Sequence, residues 1–185
     1  SMHRDMMIAE LAEKDAGTGH LPLTHYDGWQ VVDRVDIADL HSEAAHDYEQ
    51  SSRGAIQDNI VHRDRPPGEE LSPQVADGGR LIIERQSMTF KARPAEPVKL
   101  VARFTVGLDV QLELEVGGQT FPVKLDATAV QQWREITVQI PGLRVKPKNS
   151  LIVRTTNGAP FHAYHYFFLQ KSVTPPAPPT PAPGS

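Results

Sequence analysis

Apolar and polar residues alternate with a period of two through most of the chain after Gly79. Between 110 and 116, valine or leucine occupies every second position, and glutamine or glutamate occupies the others. Successive side chains of a strand point to opposite faces, so this alternation predicts a strand with one buried face. Similar segments predict further strands. The predicted strands cover 29–37, 81–92, 98–106, 110–116, 121–125, 133–140, 150–155 and 161–170.

The segments between these strands contain glycine, proline, asparagine and aspartate rather than helical repeats. Gly117 and Gly118 supply the two positive-φ positions of a tight hairpin turn. Because no helical pattern of about 10–15 residues separates the strands, a parallel sheet is disfavoured. The predicted class is all-β: an antiparallel jelly-roll β-sandwich of about eight strands, with a short N-terminal helix and a long polar insertion.

The two ends of the chain differ from its strand-rich middle. Residues 1–25 are predicted to form a helical or extended lead, and residues 26–171 the β-sandwich domain. Residues 172–185 are predicted to be a linker or tail, because six of the 16 prolines fall within ten of them. Such a run favours an extended polyproline-II spacer, with recognition by an SH3 or WW domain as the alternative. A linker at this position predicts a domain of a larger protein.

Composition and charge exclude several classes of protein. The chain has no cysteine, which excludes disulfides and thiolate metal sites. No apolar run approaches the ~20 residues of a membrane span. With 19 Lys+Arg, 23 Asp+Glu and a net charge of −4, the chain has no basic footprint for nucleic acid. The acidic excess is concentrated in 31–49, which contains one arginine and six acids. These acids are Asp33, Asp36, Asp39, Glu43, Asp47 and Glu49.

The polar segment 39–79 contains a predicted helical turn at 42–48, with Ser42 as its cap. A segment of this length without regular structure is often functional. Asp36, Asp39 and Glu43 could bind calcium, although the D-x-D-x-D-G loop is absent. The alternative is a solvated acidic face, or ion pairs with arginines. The candidate arginines are Arg53, Arg63, Arg65 and Arg80.

The last predicted strand carries aromatic and histidine residues on both faces. Regular alternation places Phe161, Ala163, His165, Phe167 and Leu169 on the core face. It places His162, Tyr164, Tyr166 and Phe168 on the opposite face, as a row of rings with polar tips. Sugars present flat C–H faces to such rings and hydroxyls to their polar tips. The alternative is that this row packs beneath the long polar segment. A metal site shared by His162 and His165 is disfavoured, because the two point to opposite faces.

The half of the chain from 79 to 170 resembles the galactose-binding-like jelly-roll group, which includes many carbohydrate-binding modules. The resemblance is carried by GRLIIERQSMTFKA, PVKLVARFTV, VQLELEVGGQTFPVKL, WREITVQIP, NSLIVRTTN and AYHYFFLQ. It implies a non-catalytic β-sandwich that binds glycans or other ligands through loops or one sheet face, in some cases with a structural calcium ion. The insertion at 39–79 departs from the compact pattern.

The leading hypothesis is a non-catalytic carbohydrate-binding module of a larger, extracytoplasmic protein. Its predicted ligand contacts are His162, Tyr164, Tyr166, His41, His46 and Tyr48. The first alternative is a structural or assembly domain that dimerises or docks on its parent protein through the polar segment. The second is a hydrolase or lyase with a histidine base, which predicts a cleft where His41 or His46 meets tyrosine and arginine. No nucleophile elbow, P-loop or dinucleotide fingerprint is present.

Overall fold

The structure is a computed structural model that describes residues 28–51, 60–64, 75–127, 134–173 and 181–183. The predicted N-terminal helix and most of the proline-rich run lie outside these residues. The division into lead, sandwich domain and tail therefore stays a prediction. Within the described ranges, no helix has the length and apolar character that crossing a membrane requires.

The described chain is built of strands, with one short α-helix and one turn of 3₁₀ helix at Gly142–Arg144. The α-helix, α1, covers Leu40–Ala45. The strands are β1 (Trp29–Asp36), β2 (Glu49–Gln50), β3 (Ile60–Asp64), β4 (Val75–Ile82), β5 (Arg85–Lys91), β6 (Val98–Thr105), β7 (Val110–Val116), β8 (Gln119–Leu125), β9 (Arg134–Ile140), β10 (Lys148–Thr155) and β11 (Phe161–Lys171).

The strands form two antiparallel sheets. One has five strands in the order β2-β5-β10-β7-β8. The other has six, in which β3, β4, β11, β6 and β9 follow one another and β1 also pairs with β11. Because β6 runs along one side of β11, β4 and β1 share the other side, β4 at its start and β1 along the rest. The predicted all-β antiparallel sandwich is confirmed. The segment predicted as one strand at 81–92 is the end of β4 and all of β5.

The hydrophobic core lies between the two sheets. Phe90 of the five-stranded sheet stacks on Phe168 of the six-stranded sheet, with their ring centroids 3.9 Å apart. Phe104 meets Phe161 and Tyr166 edge to face, at 5.5 and 5.8 Å. In β7, burial alternates residue by residue as the sequence pattern predicts. Since the chain has no cysteine, this packing holds the sheets together without disulfides.

One extra residue in β11 changes the faces that the sequence pattern predicts. Ala163 pairs with Phe104 of β6, but the next pair is His165 with Arg103, so Tyr164 is a bulge residue. Beyond the bulge, Tyr166 and Phe168 therefore belong to the core between the sheets. Phe167 lies in a second apolar cluster outside it. That cluster contains Val101, Phe167 and Leu169, with Trp29 and Val31 against them. The predicted alternation is wrong after Ala163, because period two cannot include an inserted residue.

Candidate functional site

The acidic segment, residues 31–49, contains α1 and the turns on either side of it. α1 begins after Asp39, whose Oδ1 accepts a hydrogen bond of 2.7 Å from the Ser42 N–H. The predicted cap, Ser42, lies inside the helix, and its Oγ accepts from the Asp36 N–H at 2.9 Å. Aspartate at the cap satisfies an N–H group that the first helical turn leaves without a partner. Asp39 is therefore engaged in the structure of the helix itself.

Glu43 and Arg80 form a buried ion pair that fixes α1 to β4. The two residues are 8% and 9% exposed. Arg80 Nε and Nη2 donate to the two carboxylate oxygens of Glu43 at 2.6 and 2.9 Å, and the Ala38 N–H also donates to Oε1. The hydrogen bond to Glu43 raises the pKa of Arg80. The predicted alternative of an ion pair with Arg80 is confirmed. Arg53 and Arg65 lie outside the described residues, as does the side chain of Arg63.

His46 joins the end of α1 to β1 through both of its ring nitrogens. Nδ1 lies 2.6 Å from the Ser42 carbonyl oxygen, and Nε2 lies 3.0 Å from Oδ1 of Asp33. Both neighbours are acceptors, so the imidazolium form makes both bonds. The hydrogen bond to Asp33 raises the pKa of His46. Burial acts to raise the pKa of Asp33, but the hydrogen bonds from His46 and Lys91 outweigh it and the pKa is lowered.

Tyr48 and Tyr166, two of the predicted ligand contacts, are joined by Gln86. The Tyr48 hydroxyl donates to Gln86 Oε1 at 2.8 Å, and Gln86 Nε2 donates to the Tyr166 hydroxyl oxygen. Gln86 and Tyr166 are fully buried. Burial raises the pKa of both tyrosines. This chain of hydrogen bonds connects the acidic segment to the core, so both hydroxyls serve the interior of the domain.

The predicted surface row of rings on β11 is wrong for its two tyrosines. Tyr164 and Tyr166 are both 0% exposed, so neither presents a ring to a ligand in this structure. The Tyr164 hydroxyl lies 3.1 Å from Thr105 Oγ1, and Tyr166 belongs to the core because of the bulge. His162 is half-buried and His41 is exposed on α1. A ligand contact by His162, His41, His46 or Tyr48 stays a prediction.

The predicted calcium ligands do not form one cluster. Asp39 caps α1 and Glu43 holds Arg80, while Oδ1 of Asp36 lies 3.6 Å from Nδ1 of His165. In the described ranges, no three His, Asp or Glu side chains are grouped as a metal site requires. The ligand set is corrected accordingly: each of these carboxylates has its own partner. Calcium binding by the chain stays a prediction.

A polar cleft of about 390 Å³ opens on the outer face of the five-stranded sheet, beside the turn between β7 and β8. We call it the basic cleft. It is lined by Glu115, Gly117, Gly118, Arg144, Lys146, Lys148, Asn149, Ser150 and Ile152. Its lining combines three cations, one carboxylate, an amide and a hydroxyl with one aliphatic side chain. None of the predicted ligand contacts lies in it.

The Gly117-Gly118 turn forms one wall of the basic cleft, and the Arg144 backbone packs closely against it. Gly117 and Gly118 have φ of 59° and 78°, as the sequence predicts for a tight hairpin. Arg144 Nη1 donates to the Gly117 carbonyl at 3.1 Å. A Cβ on Gly117 would lie 2.9 Å from the Arg144 carbonyl oxygen, whereas a Cβ on Gly118 would meet nothing within 4 Å. Only glycine at 117 therefore allows this approach of the Arg144 backbone.

Asn149 fixes the backbone of Lys146 beneath the cleft. Asn149 is buried, its Oδ1 accepts from the Lys146 N–H at 2.8 Å, and its Nδ2 donates to the Lys146 carbonyl at 2.7 Å. Both backbone groups of Lys146 are therefore bound by one side chain. Buried Val145 and Asn149 anchor the loop from inside, while Arg144, Lys146 and Lys148 are exposed. The loop thus presents its cations on a fixed backbone.

The carboxylates near the cleft are already engaged. Glu115 accepts a hydrogen bond from Arg154 Nη2, and Glu113 lies 3.8 Å from Nη1 of the same arginine. Two carboxylates on one strand face that share an arginine are not the opposed pair of a glycosidase. Glu113 also lines a second cleft of about 310 Å³ at the other end of the sheet, together with Lys124. Of the histidines that the hydrolase alternative names, His46 contacts Asp33, and a cleft at His41 or His46 stays a prediction.

Sequence reasoning did not identify the cations of the basic cleft. The acidic excess indicated a candidate site at 31–49, whereas the cations of the cleft lie toward the other end of the chain. No Asp or Glu follows Glu135, although five basic residues do. These are Arg144, Lys146, Lys148, Arg154 and Lys171. The RVKPK run at 144–148 was the available signal, but its position beside the glycine turn depends on the sheet topology.

Comparisons with solved structures agree with the fold. A family 6 carbohydrate-binding module whose binding sub-sites have been dissected aligns with a TM-score of 0.50 and 9% identity, over 76% of this chain and 94% of that one. CsCBM6-3 from Clostridium stercorarium, in complex with cellobiose, aligns with a TM-score of 0.47 and 14% identity, over 76% and 94% of the two chains. CBM6cm-2 from Cellvibrio mixtus lichenase 5A, in complex with cellotriose, aligns with a TM-score of 0.46 and 11% identity, over 78% and 100%.

No protein-family model matches the chain, and no curated protein matches it. At identities this low, likeness to a solved structure describes the fold alone. The chain therefore has a β-sandwich fold like that of a carbohydrate-binding module.

Proposed function

We propose that the chain is a non-catalytic carbohydrate-binding module and that the basic cleft is its ligand site. The observation that carries this proposal is the lining of the cleft. The cleft is lined by three cationic side chains together with a carboxylate, an amide and a hydroxyl group, and by one aliphatic side chain that can contact a sugar ring. Such a lining matches a ligand rich in hydroxyl groups. The likeness of the fold to a carbohydrate-binding module supports the same class of ligand.

The engaged state of the nearby carboxylates supports a role in binding rather than catalysis. A general acid or base needs a carboxyl that can exchange a proton with the substrate. Glu113 and Glu115 are instead held by Arg154 on one strand face. We therefore expect the protein to bind sugars and to release them unchanged.

The remaining parts of the proposal concern the protein's setting. A proline-rich run such as 174–183 spaces domains in an extended form, which supports a role as one module of a larger protein. A location outside the cytoplasm follows as a prediction, because polysaccharide ligands are found there. The alternative role, dimerisation or docking on the parent protein, makes a different prediction for the whole chain in solution.

A glycan array followed by titration calorimetry tests the proposed function. The whole chain is screened against neutral, acidic and amino sugars, with calcium or with EDTA. We expect heat of binding with at least one sugar class and no shortening of the glycan after incubation. Light scattering on the same sample measures the oligomeric state. A dimer that binds no sugar in either buffer would contradict the proposal and favour the assembly role.

A further inference from the structure

We infer that the basic cleft binds an anionic polysaccharide, a sugar chain whose units carry carboxylate or sulfate groups. This inference rests on the proposed function and names the class of its ligand. It follows from three features of the cleft: the balance of its charges, the way its cations are held, and the side chains that it lacks.

Among the described residues, the carboxylates near the cleft do not balance the positive charge of its lining. Three cations line it, Arg144, Lys146 and Lys148, against the single carboxylate of Glu115. That carboxylate is held by Arg154, and Lys148 pairs with Asp47 at 3.0 Å. Arg144 and Lys146 have no carboxylate partner in the part of the chain that the structure describes. In a protein of net charge −4, this excess of positive charge is local and would attract an anionic group.

The Lys146 backbone and the Arg144 guanidinium are held in place before any ligand arrives. Both backbone groups of Lys146 are bound by Asn149, and the Arg144 guanidinium is bound to the carbonyl of Gly117. A site whose backbone is already ordered loses less conformational entropy when it binds. Arginine and lysine donors form stronger hydrogen bonds to anionic oxygens than to neutral hydroxyls. The cleft should therefore discriminate between a charged and an uncharged sugar of similar shape.

The cleft lacks the groups that would favour a nucleic acid. Binding of single-stranded nucleic acid combines a basic groove with aromatic rings on which bases stack. Among the residues that the structure describes, those lining the basic cleft include no phenylalanine, tyrosine or tryptophan. Its one aliphatic residue, Ile152, can contact a sugar ring, while Ser150 offers a hydroxyl group. Without rings for base stacking, this lining favours an anionic polysaccharide over a single-stranded nucleic acid.

Titration calorimetry on the whole chain tests the inference with four ligands. Oligogalacturonate supplies carboxylates, dextran sulfate supplies sulfate esters, cello-oligosaccharides are neutral, and oligo(dT) is a nucleic acid. The test protein is the double variant Arg144→Gln/Lys146→Gln. The control is Lys124→Gln, which removes an exposed cation from the second cleft on the same sheet. Circular dichroism and the melting temperature confirm that all three proteins are equally folded.

We expect oligogalacturonate or dextran sulfate to bind, with the responding arm identifying carboxylate or sulfate as the recognised group. The double variant should weaken binding about a hundredfold, since it removes two charge-assisted hydrogen bonds that each contribute about tenfold. The Lys124→Gln control should retain wild-type affinity, and added salt should weaken the binding of the wild type more than that of the double variant.

Binding of the neutral sugar alone, unaffected by the double variant, would overturn this inference and leave the proposed function standing. Tighter binding of oligo(dT) than of any polysaccharide would also overturn it. Failure of every sugar would overturn both.

Discussion

Five carboxylates of the acidic segment each contact a partner inside the domain, whereas two of the three cations of the basic cleft contact no carboxylate among the described residues. Glu43 holds Arg80, Asp33 holds His46, and Asp39 caps α1. Asp36 and Asp47 lie beside His165 and Lys148. Most of these acids are engaged in holding the fold together, whereas Arg144 and Lys146 remain available for a ligand.

The two regions differ in whether their charged side chains are paired within the folded domain. The cluster of acids is easily recognised in the sequence, but these acids form the contacts that attach their segment to the β-sandwich. The cations come from a short loop between two strands, with Asn149 and Val145 fastening it from inside. A charge that is already paired within the fold is weak support for a binding site, and an unpaired one on an ordered backbone is stronger support.

The largest effect in this comparison should come from Glu43. Replacement of Glu43 by alanine leaves Arg80 buried without its partner, which costs about 3–5 kcal/mol in the free energy of unfolding. Urea denaturation measures this loss. The control is Glu49→Ala, an exposed acid of the same segment, for which we expect a change within about 0.5 kcal/mol. Equal effects of the two variants would show that the acidic segment is not fastened through Glu43.

Alanine substitutions at Gly117 and Gly118 distinguish the effect of backbone strain from the effect of displacing the Arg144 backbone. Both have positive φ, so alanine at either position should cost about 1–2 kcal/mol of stability. Only at 117 would the new Cβ also push against the Arg144 backbone. We therefore expect Gly117→Ala to be the less stable variant and the one that weakens polysaccharide binding. Calorimetry checks this, and equal affinities for the two variants would mean that the position of Arg144 is irrelevant to binding.

The His46–Asp33 pair makes part of the stability dependent on pH. The raised pKa of His46 means that its contribution is complete below the ordinary value of 6.5 and is lost as the pH rises through the folded-state value. The lowered pKa of Asp33 means that its contribution is complete above 3.8 and is lost as the pH falls through the folded-state value. His46→Gln should therefore cost about 1 kcal/mol at pH 5 and less at pH 9.

Thermal unfolding across this pH range measures the effect of His46→Gln. His41→Gln, on the exposed side of the same helix, serves as the control and should follow the wild type at every pH. A cost of His46→Gln that stays constant from pH 5 to pH 9 would argue against an imidazolium in the folded state.

The smallest effect should come from Asp47, where the two regions meet. Asp47 and Lys148 are 61% and 64% exposed, so their ion pair contributes little. We expect Asp47→Asn to leave the free energy of unfolding close to that of the wild type. The variant releases Lys148, so affinity for an anionic polysaccharide should rise slightly at low salt. A fall in affinity would place Asp47 in the ligand site.

The sequence predicts those features of the fold that depend on local pattern. The alternation in β7 and the Gly117-Gly118 turn both appear in the structure as predicted, because burial and positive φ each follow from one short stretch. The bulge at Tyr164 could not be predicted from the sequence, because an inserted residue is recognised only from the pairing of β11 with β6. This one residue moves Tyr166 from a predicted surface into the core.

The candidate site was less predictable than the fold, since its residues come from separate elements. Lys146 is part of the candidate site because Asn149 fixes its backbone and the hairpin turn lies beside it, and neither contact can be predicted from the sequence. Conversely, His46 and Tyr48 are reactive residue types that the fold uses for hydrogen bonds with Asp33 and Gln86. Residue chemistry indicates what a side chain can do, and tertiary contacts decide whether it is available.

Amide chemical-shift mapping locates the residues that contact the ligand and shows whether it binds at the basic cleft. Isotope-labelled whole chain is titrated with the polysaccharide that gives the strongest heat. We predict that the shifted amides cluster at Gly117, Gly118 and 144–150, with α1 unchanged. Shifts concentrated on α1 and His162, with the cleft amides unmoved, would contradict the account and return the site to the residues that the sequence first suggested.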